Sequence, residues 1–175
     1  MPTVGKLKRV IHEIDPSLVY QEQFVNEGRY LAKVKREEEG NTDYFLKIGK
    51  HFQMERKILM MAQGIQGITH LVDTYLGRPY FAILKEYAPG KDLRELGIKI
   101  FDKGLQDKLK QTVNNLHSRG IVDLDIVDRN IVLSPDGREA SIVDLDWCSL
   151  SRDIPANWTK DLIERDKKNL RRLFA

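Results

Sequence analysis

Six oxygen-bearing side chains crowd two short segments of this chain. Ile121 to Leu133, IVDLDIVDRNIVL, carries Asp123, Asp125, Asp128 and Asn130, and Ile142 to Trp147, IVDLDW, adds Asp144 and Asp146. Between them, Ser134-Pro135-Asp136-Gly137 has strong turn chemistry, so Ile131 to Leu133 and Ile142 to Val143 read as a hairpin with the acids near one end. Carboxylates and an amide at strand ends offer hard oxygen ligands. Magnesium is commonly held by one or two carboxylates together with substrate phosphates. Acids beside turns also cap and solvate them, and composition alone favours that plainer role.

The elements that must position these residues change character near Pro89. Before it, short β-prone runs dominate: Leu18 to Tyr20, Arg29 to Val34, Tyr44 to Ile48 and Pro79 to Leu84, separated by turns at Asn26-Glu27-Gly28, Glu39-Gly40-Asn41 and Gly77-Arg78-Pro79. One amphipathic segment interrupts them, His51 to Gln63, where Met54, Ile58 and Met61 share a helical face. After Pro89 the period is helical. Leu105, Leu109, Val113 and Leu116 form a stripe ending near Arg119-Gly120, and Leu162, Ile163, Leu170, Leu173 and Phe174 form another.

Asp125 and Asn130 stand five positions apart, and Asp144 follows after the hairpin. In this order the stretch resembles the protein kinase superfamily, whose catalytic loop has an Asp followed by that Asn, then a hairpin, then the metal-binding Asp of the DFG motif. Leu145 and Asp146 stand in place of the Phe and Gly, and LHSRGIV at Leu116 to Val122 looks like the helix end that leads into such a loop. The resemblance implies an α+β, two-lobed kinase-like fold in a single domain, 1–175. Its N-lobe, about 1–87, would be an antiparallel sheet plus one helix, its hinge about 85–90, and its C-lobe, about 91–175, truncated and mostly helical.

The same resemblance implies roles for individual residues. Lys47 in YFLKIG would bind the α- and β-phosphates of ATP, and Glu55 in MERKIL, eight positions on, would hold the ammonium by an ion pair. Gly28 in FVNEGRYLAKV is the glycine left at the turn over the nucleotide. Backbone groups from Glu86 to Ala88 in LKEYAPGKDL would pair with the adenine edge, with Lys85 at the gatekeeper position. Asp125 would take the acceptor's proton, and Asn130 and Asp144 would hold Mg²⁺.

This chain departs from the family pattern in two places. Asp123-Leu124 replaces the His-Arg pair before the catalytic Asp, so regulation by loop phosphorylation is not expected. After Asp144 about 30 residues remain, without an APE motif or room for a peptide-binding platform. The shortened C-lobe looks like the RIO kinases and the lipopolysaccharide core kinases, and the final DKKNLRRLF is similar to the closing helix of the latter. The implied activity is an ATP-dependent kinase of the protein serine/threonine kind, passing the γ-phosphoryl group to a hydroxyl acceptor. The alternatives are a small-molecule or glycan kinase and a non-catalytic nucleotide-binding scaffold.

Composition narrows the setting. With 41% hydrophobic and 31% charged residues the chain fits a soluble globular domain, and no apolar run reaches bilayer length. A formal charge of +3 is too small to imply a nucleic-acid partner. The single cysteine, Cys148, reads as a packing residue. With no signal-type apolar stretch at the start, the expected compartment is the cytoplasm. His12, His51, His70 and His117 lack metal-ligand spacing, so zinc is not expected. Lys167, Lys168, Arg171 and Arg172 read as the solvated face of the last helix.

Overall fold

A computed structural model describes residues 4–26, 29–36, 42–49, 52–76 and 81–175. Each of the three turns expected between the N-terminal strands lies wholly or partly outside these residues. The chain divides into two compact units, Met1–Arg56 with Leu71–Tyr87, and Lys57–His70 with Ala88–Ala175. The architecture is α+β, with an antiparallel five-stranded sheet in the N-terminal part and helices after it.

The first unit is the sheet and a helix that the strand-like pattern did not foresee. Strands β1 (Leu18–Asn26), β2 (Arg29–Arg36), β3 (Asp43–Gly49), β4 (Leu71–Leu76) and β5 (Phe81–Glu86) lie in the order β1-β2-β3-β5-β4. Helix α1 (Val4–Ile14) buries Leu7, Val10 and Ile11, the one-sided spacing of an amphipathic helix. These pack with Ala32, Val34, Leu46, Ile48, Ala82 and Leu84 into one cluster. Side chains alternate across a sheet, so the facing triplet Leu31, Lys47 and Ile83 belongs to the opposite face. That second face also carries Lys85, two positions after Ile83.

Helix α2 (Gln53–Ala62) occupies the expected amphipathic segment, with a different inward stripe. Met54 is exposed, whereas Glu55, Ile58, Leu59 and Ala62 are buried. Their i, i+3, i+4, i+7 spacing defines one helical face, headed by a carboxylate because two lysines on the sheet supply its partners.

In the second unit, β6 (Lys91–Asp92) leads into the short helix α3 (Leu93–Leu96) and then α4 (Lys103–Ser118). Asp102 caps α4 by accepting from the Leu105 amide at 2.7 Å, and the predicted stripe Leu105, Leu109, Val113 and Leu116 is buried. After β7 (Ile121–Val122) and a 3₁₀ turn at Asp128–Asn130, β8 (Ile131–Leu133) and β9 (Ala140–Ile142) form the expected hairpin. Then come β10 (Ser149–Leu150), paired with β7, and α5 (Ala156–Arg172). The segment after α2 joins this unit through β-type bonds: the Ile142 amide donates to the Gly67 carbonyl at 2.9 Å. Arg119 donates to the carbonyls of Met61 and Gln63, each at 2.7 Å, satisfying acceptors that the end of α2 would otherwise leave open.

Gly90 is required where β6 meets β8. Its φ is +128°, and an added Cβ would lie 1.9 Å from the Leu133 carbonyl oxygen, a backbone atom that cannot swing away. Gly90→Ala is expected to lower the unfolding free energy by roughly 2–4 kcal/mol. Urea unfolding measures it, and a variant with the parent's midpoint would contradict this close strand approach.

Candidate functional site

In the first unit, Lys47 projects from β3 and its Nζ lies 3.0 Å from Glu55 Oε1. Both side chains are almost completely buried, at 4% and 2% exposure. Two ions taken out of water gain little net stability even when paired, so packing alone does not account for this pair. Lys85 Nζ is also 3.0 Å from the same Glu55 oxygen. Lys85 therefore joins Lys47 and Glu55 in a three-residue charged cluster. Glu86 ends β5 and is exposed, Ala88 is half-buried just beyond it, and Gly28 lies outside the described residues.

The second unit holds the acidic loop. Asp123 and Asp125 adopt φ of 62° and 43°, left-handed backbone that residues other than glycine occupy at a cost of order 1–2 kcal/mol each. Asp166, on α5 and 1% exposed, supplies the restraint. Its carboxylate accepts from the Asp123 and Leu124 amides, both at 3.0 Å, and pairs with His117 Nε2 at 2.9 Å. Leu124 anchors the loop with a fully buried side chain, and Arg165 pairs with Asp123. Asp166, Leu124 and Arg165 together hold this loop.

Asn130 Nδ2 donates to the Asp125 carbonyl at 2.9 Å and to Asp125 Oδ2 at 3.1 Å. The amide is thereby fixed, with Oδ1 turned the other way. Arg129 also donates to Asp125 Oδ2, at 3.1 Å. The Val143 amide donates to the Asn130 carbonyl at 3.0 Å, which sets Asn130 beside the strand that delivers Asp144. Asp144 Oδ1 accepts from the Asp146 amide at 3.1 Å, and oxygens of these two carboxylates approach within 4.8 Å. An amide oxygen with carboxylate oxygens is a donor set that fits a hard divalent cation.

Asp128 is exposed and caps its own turn by accepting from the Arg129 amide at 2.8 Å. Cys148 is buried, and burial followed by nearby acids pushes its thiol well above the usual range, which suits packing rather than nucleophilic chemistry.

Asp166 and His117 carry structural weight that their sequence positions did not suggest. Asp166 falls four residues after Leu162 and four before Leu170, so a charge on the apolar face of α5 was the available signal.

The sequence matches no protein-family profile and no curated protein. Among solved structures, the chain is similar to the kinase PK-1 of Cydia pomonella granulovirus, with a TM-score of 0.68 at 12% identity, over 83% of this chain. It spans 57% of the length of that kinase. At this identity the likeness concerns the fold, and the fold is protein kinase-like.

Proposed function

We propose that this protein is an ATP-dependent phosphotransferase that moves the γ-phosphoryl group of ATP to a hydroxyl acceptor, in the manner of the small kinases of the RIO and lipopolysaccharide core type. The observation that carries this reading is the Asp125–Asn130 arrangement, in which an acid held in left-handed backbone is locked by the amide five residues later. The kinase-like fold supports it.

In this reading Lys47 binds the α- and β-phosphates, with Glu55 holding its ammonium, and backbone groups at Glu86 and Ala88 receive the adenine edge. Asn130 Oδ1 and the Asp144 carboxylate are the groups that would hold Mg²⁺. Bound there, the metal supplies neutralisation of charge on the phosphates. Asp125 orients the acceptor hydroxyl and takes its proton as the new O–P bond forms and the bond to the β-phosphate oxygen breaks. Phosphoryl transfer depends mainly on positioning and charge stabilisation, which this small set can provide.

The test is transfer from labelled ATP with Mg²⁺, counting autophosphorylation and ATP hydrolysis, in the parent, Asp125→Ala and Asp144→Ala. Both variants are expected to lose at least about a hundredfold in rate, a loss far larger than the modest fall in melting temperature expected of Asp125→Ala from its left-handed backbone. Absence of both transfer and Mg²⁺-dependent nucleotide binding in the parent would overturn the enzyme reading and leave a kinase-like scaffold.

A further inference from the structure

Lys85 lies at the end of β5 with a side chain 2% exposed, yet an apolar residue would fill that position in a sheet without the desolvation cost of an ammonium. Stability alone gives no reason for it, since buried ion pairs are often replaced by hydrocarbon without loss. What hydrocarbon cannot do is hold Glu55. Register places Phe45 opposite Lys85 and Lys47 opposite Ile83, so the two lysines are diagonal neighbours on one face. Each reaches Glu55 Oε1 at 3.0 Å. The Lys85 ammonium also sits 5.7 Å from the centre of the Phe45 ring, a contact that helps fix it.

We propose that Lys85 is a positioning residue for nucleotide binding: it keeps the Glu55 carboxylate seated while Lys47 turns part of its hydrogen bonding to phosphate. This rests on the phosphotransferase reading above. With a single lysine on the carboxylate, engagement of phosphate weakens the contact that aims the lysine. With two, the carboxylate keeps a charged donor throughout, and the Lys47 ammonium stays where the phosphates need it. Lys85 acts through Glu55 and touches no nucleotide atom in this scheme.

The test is a cycle of Lys85→Met, Lys47→Met and the double variant, followed by Mg²⁺·ATP titration and thermal melting. Lys85→Met is expected to weaken Mg²⁺·ATP binding about tenfold in the parent background and to change it little in the Lys47→Met background. Lys85→Arg, which keeps a charged donor, is expected to restore most of the affinity. Equal losses in both backgrounds would overturn the proposal by pointing to direct phosphate contact, and so would a Lys85→Met variant that binds like the parent. Should the parent fail to bind nucleotide, the phosphotransferase reading falls and melting decides the pairing. A double variant that loses more melting temperature than the two single losses added together supports shared tenure of Glu55, and additive losses overturn it.

Discussion

Replacing Asp166 with alanine is expected to lower the unfolding free energy by roughly 3–5 kcal/mol and to reduce phosphate transfer by about a hundredfold or more. The stability loss follows from three donors that lose one acceptor: the Asp123 amide, the Leu124 amide and His117. A buried donor left without a partner forfeits the full hydration it gave up, about 1–3 kcal/mol for each group. The activity loss has a different origin. Asp123 and Asp125 hold positive φ against their intrinsic preference, and without the restraint the backbone relaxes and carries the Asp125 carboxylate away from Asn130. Urea unfolding and single-turnover transfer measure the two effects separately. Asp166→Asn keeps one acceptor oxygen but presents an NH₂ group to the other donors, so an intermediate loss is expected. An alanine variant with the parent's stability would contradict the restraint described here.

Glu55→Gln is expected to be similarly severe. The amide keeps the shape of the carboxylate and removes the charge that compensates both Lys47 and Lys85. Breaking a buried ion pair from one side typically costs 3–5 kcal/mol, because the remaining charge has already lost its water. The urea midpoint should fall accordingly, and Mg²⁺·ATP affinity should fall with it, since Lys47 loses the carboxylate charge 3.0 Å from its ammonium. Raising the salt concentration should not reproduce the effect, because a pair at this depth is poorly screened. A glutamine variant as stable as the parent would show that the cluster is not held by charge.

Much of the fold was legible because its signals are local. The stripe from Leu105 to Leu116 repeats with the helical period, and all four of its residues are buried on α4. The Ser134 to Gly137 turn closes the hairpin as its chemistry implies, with the Gly137 amide donating to the Ser134 carbonyl at 2.9 Å. Helix α1 carried an equally local signal in Leu7, Val10, Ile11 and Ile14, which the β-prone runs that follow it obscured.

The spacing from Asp125 to Asn130 to Asp144, and the local periods of helix and hairpin, are properties of the chain read in order. Tertiary structure decided where the charges meet. Glu55 and Lys85 are 30 positions apart, and Asp166 stands 43 and 42 positions from the amides it accepts. In a linear reading a charge on a helix defaults to the solvated face, because water is the cheapest partner for an isolated ion. Burial reverses that preference only when packing brings a counter-charge or several donors to the same point. That meeting depends on strand register and helix packing, which no local pattern specifies.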